Sequence, residues 1–284
     1  MNIAISGASG FVGRHLSAFL VQNGHQIFPL GRKMFGDNGK EELTRTLSQC
    51  DVVINLAGAS INKRWSTAYK EELYNSRILV TRQIVNVLKT LPHKPKLMIS
   101  TSAVGYYPSL GCFDENDIIK TNGFLPTLCR QWEQEAMKCP PEIRLAITRF
   151  GVVLSPDGGA LQRMSLPLKM KVATVIGTGD QPFPWISITD LCRAILFIIK
   201  TPSLHGPINF VAPQVVTQRN FTQAMGKHYH AWLRTTIPSF LFRLALGEAA
   251  SFLTTGQHVI PLRLLDAGFK FAHPTLKQFW KDQK

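Results

Sequence analysis

Asn2-Ile3-Ala4-Ile5-Ser6-Gly7-Ala8-Ser9-Gly10-Phe11-Val12-Gly13 opens the chain and decides how the rest of it is read. Asn2 to Ser6 alternates short apolar residues, the pattern of a strand. Gly7, Gly10 and Gly13 then form G-x-x-G-x-x-G, and an amphipathic stretch runs from Phe11 to about Gln22. Glycine between a strand and a helix permits a tight turn and lets backbone approach a pyrophosphate closely. The helix N-terminus offers unpaired N–H groups to the anion. The spacing alone is weak evidence. Its place at the end of an N-terminal strand is what predicts a dinucleotide site formed by Gly7, Ser9, Gly10, Phe11, Val12 and Gly13.

Working outward, Asn23-Gly24 closes the first helix and Gln26 to Leu30 reads as a second strand. Met34 to Lys40 reads as loop and Glu41 to Gln49 as a short helix. Asp51 to Leu56 is nearly all apolar, as a strand buried on both faces should be. Ser66 is placed to cap a long helix reaching about Leu88, along which Tyr69, Leu73, Ser76, Val80, Ile84 and Val87 recur at helical spacing. Lys96 to Thr101 reads as strand, Leu125 to Lys138 as helix and Arg144 to Leu154 as strand. Such alternation predicts an α/β fold, a Rossmann-type doubly wound parallel sheet with right-handed crossovers.

Beyond Leu154, Pro156, Gly158, Gly159, Pro167, Gly177, Gly179, Pro182 and Pro184 break the chain into short elements. The expected division is an NAD(P)-binding domain over residues 1–155 and a mixed region over 156–284. That second region completes the fold and forms a smaller, mainly helical C-terminal substrate lobe. A helix from Asp190 to Lys200 and a strand at Ile208 to Val211 return to the main body, and Gly268-Phe269-Lys270-Phe271 reads as a late short strand.

The end of the second strand bears on cofactor choice. A carboxylate there would bond a ribose 2′-hydroxyl and repel a 2′-phosphate. The chain has Gly31-Arg32-Lys33 instead, with no carboxylate before Asp37. A guanidinium can hold a phosphate bidentately, so Arg32 predicts NADP(H) in preference to NAD(H).

Composition sets the outer limits. The chain has 284 residues, 45% of them hydrophobic and 18% charged, which suits a folded globular protein. No apolar run approaches the roughly 20 residues that span a bilayer. Met1 leads directly into the first strand without a basic-then-apolar leader, so a cytoplasmic protein with no membrane partner is expected. Cys50, Cys112, Cys129, Cys139 and Cys192 are odd in number and show no C-x-x-C spacing, as expected of isolated thiols in a reducing compartment. The formal charge of +14 comes from scattered Lys and Arg with no recognition motif. That weighs against nucleic acid and favours a basic cleft for a small-molecule substrate, anionic or ring-bearing. Oligomerisation is left open. His228 and His230 flank Tyr229 without an evident third ligand, so no metal site is expected.

Together these residues resemble the extended short-chain dehydrogenase/reductase superfamily. They resemble more closely its atypical branch of epimerase-family proteins, which carry a C-terminal extension of unassigned role. The resemblance covers almost the whole chain. It rests on Gly7-Ala8-Ser9-Gly10-Phe11-Val12-Gly13, Asn55-Leu56-Ala57-Gly58-Ala59, Arg64-Trp65 and Ser76-Arg77. It continues through Ser102-Ala103-Val104-Gly105-Tyr106-Tyr107, Cys129-Arg130-Gln131-Trp132-Glu133, Pro184-Trp185-Ile186 with Asp190, Leu246-Gly247-Glu248 and Gly256-Gln257. It implies an NAD(P)-binding fold in which Ala57 and Gly58 border the cofactor. Gly151 is counted with them.

The resemblance also implies a Tyr-x-x-x-Lys pair on one helical face, the Lys tuning the Tyr and holding the nicotinamide ribose. This chain departs from it. If Glu133 aligns with the acidic residue that often follows that Lys by four, Cys129 holds the Lys position and Leu125 the Tyr position. Four residues after Tyr69, Tyr74, Tyr106, Tyr107 and Tyr229 come Leu73, Ile78, Leu110, Gly111 and Leu233, none of them Lys. The remaining catalytic candidates are Thr101 and Ser102, at the end of a strand, and Tyr106 on the loop beyond. Arg64 with Trp65, and Trp185, are candidates to bind substrate by charge and stacking. Two functions follow. One is an NADP-dependent oxidoreductase or epimerase/dehydratase-like enzyme. The other is a non-catalytic NAD(P)-binding regulator or scaffold.

Overall fold

The computed structural model describes residues 1–119 and 122–283. Its strands are β1 (Asn2–Ser6), β2 (Gln26–Leu30), β3 (Val52–Asn55), β4 (Leu97–Ala103), β5 (Cys112–Phe113) and β6 (Arg144–Phe150). They continue with β7 (Val152–Ser155), β8 (Val172–Ile176), β9 (Trp185–Ser187), β10 (Gly206–Phe210), β11 (Leu233–Ile237) and β12 (His258–Val259). The main helices are α1 (Phe11–Gln22), α2 (Lys40–Leu47), α3 (Thr67–Tyr74), α4 (Val80–Thr90), α5 (Phe124–Ala136), α6 (Gly159–Met164), α7 (Ile188–Lys200), α8 (Gln218–His228) and α9 (Ser239–Leu246).

Six strands make one parallel sheet in the order β10-β6-β4-β3-β1-β2. Successive side chains of a strand point to opposite faces. Ile3 and Ile5 therefore meet Leu16 and Leu20 of α1 and Leu191 and Ile195 of α7. Ala4, between them, meets Leu43 and Leu47 of α2 and Ile84 and Leu88 of α4. Each fully buried aliphatic side chain adds roughly 1.5–3 kcal/mol, so both faces of the sheet are covered at a gain. From β1 the chain turns to β2 on one side and crosses to β3 on the other, which opens a crevice at the C-terminal ends of β1 and β3.

The expected long helix is present as one continuous run with a π-turn, Asn75–Leu79, joining α3 to α4. Ser66 caps it, its hydroxyl accepting the Tyr69 N–H at 3.2 Å. Three expectations need correction. Arg32–Phe35 forms a 3-10 turn where loop was expected from Met34. The strand expected from Arg144 to Leu154 breaks at Gly151, where β6 stays in the central sheet and β7 leaves to pair with β9. Gly268 to Phe271 is not a strand; Phe269 packs instead on Phe197 of α7, ring centroids 5.3 Å apart. Its aromatic contacts, with Phe197 and with Phe271, hold the segment in place without strand pairing.

Outside the central sheet, β11 pairs with β8 and β7 with β9 in two small parallel sheets, and a separate core cluster there includes Trp185, Phe221, Phe279 and Trp280. A buried carboxylate ties the tail to the main body. Asp190 of α7 accepts the backbone N–H groups of Ala272 and His273 at 2.7 and 2.8 Å. Among the described residues no helix is long and apolar enough to cross a membrane.

Candidate functional site

The glycine loop sits at the mouth of the crevice. Gly7 has φ +69°, the left-handed region, and a Cβ there would lie 2.8 Å from the Leu56 carbonyl. A Cβ on Gly13 would lie 2.2 Å from the Gly7 carbonyl, so α1 packs directly on the turn. Gly10 is the N-cap of α1, with no side-chain cap and no acidic residue in the first turn. Helices starting after Ser66, Ser187, Thr217 and Thr275 are by contrast capped by those side chains. The first N–H groups of α1 therefore keep their capacity to meet an anion, and the loop fits a dinucleotide pyrophosphate.

Neighbouring residues have their own roles. Ser9 is exposed and its carbonyl accepts Arg14 Nη1 at 2.8 Å. The Phe11 ring lies against Gly158 and Gly159, and Val12 packs on the central core. Arg32 is exposed and opens the 3-10 turn that follows β2.

A buried polar cluster ties the strand ends together. Ser6 Oγ donates to Asn55 Oδ1 at 2.5 Å, and Asn55 Nδ2 donates to Thr81 Oγ1 at 2.8 Å. Trp132 Nε1 donates to the same Thr81 hydroxyl at 2.9 Å. This fixes the direction in which Ala57 and Gly58 leave β3. Gly151 has a packing reason of its own, since a Cβ there would sit 2.7 Å from the Pro184 carbonyl and 2.9 Å from Val211.

Beside the end of β4 lies a second polar cluster. Ser102 is buried and donates to Glu133 Oε1 at 2.7 Å. Glu133, on α5, takes a bidentate grip from Arg149 of β6, Nε at 2.9 Å and Nη2 at 2.8 Å. Arg149 Nη1 donates to the Tyr107 hydroxyl at 2.7 Å, and that oxygen also lies 2.8 Å from the Asp114 carbonyl and 3.0 Å from Asn209 Oδ1. Burial pushes the Tyr107 phenol up to about 12. Burial would lower Arg149, but the bonds and charge of Glu133 outweigh it and hold the guanidinium above its ordinary value. Tyr106 is half-buried, with the Arg149 guanidinium 3.6 Å from its ring centre. Thr101 is buried, and its Oγ1 has no hydrogen-bond partner among the described residues.

Cys129, at the position assigned to the missing Lys, is buried beneath this loop. A Cβ on Gly105 would lie 3.8 Å from its sulfur and 3.7 Å from Leu125. Burial and then the Glu133 charge push its thiol up to about 12.

The structure separates the expected stacking candidates from any open cleft. Trp65 is buried against Phe124 and Phe252, with Nε1 donating to the Ile61 carbonyl at 3.0 Å, while Arg64 is exposed beside Gly247. Trp185 is 1% exposed and packs edge-on against Phe279. Both indoles are core, because the C-terminal segments that cover them are distant in sequence. Residues that the sequence reading missed are Glu133, taken only as a register mark, and Arg149. The available signal was an arginine inside the otherwise apolar end of a buried strand, which requires a partner.

Comparison with known proteins agrees with this geometry. The model of the NAD dependent epimerase/dehydratase family matches residues 3–211, and a domain of unknown function (DUF1731) matches residues 237–282. An epimerase family protein of Staphylococcus haemolyticus is 37% identical over 290 aligned residues, covering 98% of this chain and 97% of its own. The chloroplastic SDR39U1 homolog of Arabidopsis thaliana is 34% identical, over 98% of this chain and 85% of its own. The crystal structure of human epimerase family protein SDR39U1 (isoform 2) with NADPH superposes with a TM-score of 0.92 at 31% identity, covering 99% of this chain and 98% of that one.

Proposed function

Since the chain belongs to the NAD-dependent epimerase/dehydratase family, we propose that it is an NADP(H)-dependent oxidoreductase or epimerase/dehydratase-like enzyme. Its substrate in this reading is a small molecule, anionic or ring-bearing, met in the cytoplasm. The observation that carries the proposal is one juxtaposition. An uncapped, glycine-lined helix start faces the crevice, and Tyr106 stands at the end of β4 with its ring stacked on Arg149.

The preference for NADP(H) rests on Arg32 and Lys33 at the end of β2, where a carboxylate would oppose a 2′-phosphate. The human relative bound to NADPH supports it. When bound, a nicotinamide would supply hydride transfer, leaving the protein to orient it and move one proton. Tyr106 is the proposed proton donor. Thr101, whose buried hydroxyl has no partner among the described residues, is the proposed hydrogen-bond donor to a substrate oxygen. Ser102 is committed to Glu133 and holds that carboxylate from below.

The second reading, a non-catalytic NAD(P)-binding regulator or scaffold, is favoured by one specific observation. The position assigned to the lysine holds a buried thiol, pushed up to about 12 by burial, which carries no positive charge. Mixing the protein with NADPH and a panel of carbonyl compounds, and following nicotinamide absorbance, separates the two. Turnover on any member supports the enzyme. Tight NADPH binding by fluorescence, with no turnover on the panel or on co-purified metabolites identified by mass spectrometry, favours the regulator.

A further inference from the structure

A groove of about 730 Å³ lies between α8 and the two-stranded sheet β11-β8, and none of its lining residues belongs to the glycine loop, β3 or β4. Arg234 of β11 stands opposite Ala173 of β8, and Thr236 opposite Val175. Paired residues share a face of the sheet, so these four make the floor. α8 leans on that floor at Gly226, where a Cβ would lie 2.9 Å from Ala173 Cβ. Arg219, Gln223 and Lys227 recur every four residues along the α8 wall. The small residues Ala173, Gly226 and Ala231 keep the hollow open.

Charge in the groove is one-sided. Arg219, Lys227, His230 and Arg234 line it, and no lining residue is Asp or Glu. Arg219 is already engaged, donating to the Thr178 carbonyl and lying 3.8 Å from Asp180. Lys227, His230 and Arg234 are exposed and have no acidic partner among the described residues. These three gather at one end: Arg234 stands opposite Ala173, on which Gly226 packs, and Lys227 and His230 follow Gly226 along the chain. Arg219 is two helical turns away, roughly 12 Å along α8. There a Cβ on Gly179 would touch both Val175 and Arg219. Between the two ends lie the exposed polar side chains of Gln223 and Thr236.

Backbone strain marks the end with three cations. Among the described residues only Lys171 and His230 have positive φ without being glycine, 60° and 55°. A side chain reaches that region at a cost, and such strain collects at functional sites. The two positions meet. Lys171 Nζ donates to the Tyr229 carbonyl at 3.0 Å, and the Lys171 carbonyl accepts the Trp232 N–H at 3.1 Å. His230 thus turns the chain sharply out of α8 toward β11.

We propose that this groove binds a phosphorylated small molecule, the phosphate held by Lys227, His230 and Arg234 and the polar body laid along Gln223 and Thr236 toward Arg219. A cleft lined by charge of one sign focuses its potential, and a phosphate accepts from several cations at once. The volume falls within the roughly 300–1,000 Å³ of small-molecule sites. An acidic peptide would be met by cations spaced along the groove, whereas here the unpaired ones converge at one end.

The test is calorimetric titration of the intact protein, with NADPH present throughout to fill the glycine-loop crevice. The probes are inorganic phosphate, glucose 6-phosphate and AMP. We expect at least one ester to bind about tenfold more tightly than inorganic phosphate, through the hydrogen bonds of its body. Glucose 6-phosphate ahead of AMP identifies a sugar body, and the reverse order a nucleoside. Lys227→Gln combined with Arg234→Gln should weaken the ester by about tenfold or more. Both side chains are exposed, so melting temperature and NADPH affinity should hold. His230→Gly removes the imidazole and relaxes the turn. Ester affinity should fall while the melting temperature holds or rises, which a purely structural His230 would not produce. The proposal is overturned if neither ester binds more tightly than inorganic phosphate, or if the double variant or His230→Gly keeps native ester affinity. It is also overturned if hexaglutamate displaces the ester at lower concentration than the ester itself needs, which would assign the groove to an acidic protein segment.

Discussion

Arg149 lays its guanidinium 3.6 Å from the ring centre of Tyr106 while its nitrogens are committed elsewhere, to Glu133 and to the Tyr107 hydroxyl. The cation is thus fixed in place, and the ring above it is held by contact rather than by its own hydroxyl. Tyr106→Phe removes the hydroxyl and keeps the stack. If Tyr106 is the proton donor, turnover on any substrate found should fall by about 10²- to 10⁴-fold, the usual contribution of a general acid–base group. NADPH affinity and melting temperature should barely change. Full turnover in Tyr106→Phe would remove Tyr106 from the chemistry.

Cofactor choice should follow the charge at the end of β2. Arg32 is exposed, so replacing it disturbs little packing. The native protein should bind NADPH more tightly than NADH. Arg32→Asp should lose that preference, because a carboxylate repels the 2′-phosphate and accepts from a free 2′-hydroxyl. Fluorescence titration with both nucleotides decides it; equal affinities in the native protein would count against NADP(H) selectivity.

How far the sequence could be read depends on the range of the interaction. The opening strand, glycine turn and helix are local, and residues 2–22 carry all of that pattern themselves. The π-turn is not visible, because the apolar spacing from Leu73 to Val87 continues through it with little change. Trp65 and Trp185 are buried where the sequence alone suits them equally to a ligand cleft. An indole suits a core as well as a ligand, and the choice is made by Phe252 and Phe279 from the far end of the chain. The pairing of Glu133 with Arg149 joins α5 to β6, which only the folded sheet brings together. The absent Tyr-x-x-x-Lys pair, by contrast, was evident from spacing alone.

Thiol chemistry gives a pH-dependent readout. Cys112 is exposed, while Cys129 is buried and its thiol is pushed up to about 12. At about pH 8 an alkylating reagent should label Cys112 quickly and leave Cys129 unmodified until denaturant is added. The linkage has a definite sign. The folded protein holds the Cys129 proton more tightly than the unfolded chain, whose thiol titrates near 8.5. That share of stability is full below the unfolded value and is lost as pH rises toward about 12. Rapid labelling of Cys129 in the native protein, followed by mass spectrometry, would contradict both its burial and its exclusion from acid–base work.

The ion pair beneath Tyr106 should prove costly to break and cheaper to replace. The side chains of Arg149 and Glu133 are each 3% exposed, so solvent screens them little. Removing one partner strands the other in a low-dielectric setting, at a cost of about 3–5 kcal/mol. Glu133→Ala should therefore lower the urea midpoint strongly, more so because Ser102 loses its acceptor as well. Replacing both ends by apolar groups, Glu133→Leu with Arg149→Met, removes both charges together and should recover part of that loss. The recovery should be incomplete, since Tyr107 then loses the Arg149 donor. Activity should separate from stability in the double variant. With the guanidinium gone, Tyr106 loses the surface on which its ring rests, and turnover should stay low although the fold has been regained. Equal destabilisation by the single and double variants in urea would show that the charges contribute nothing beyond their hydrogen bonds. Native turnover in the double variant would show that Tyr106 does not depend on Arg149 for its position.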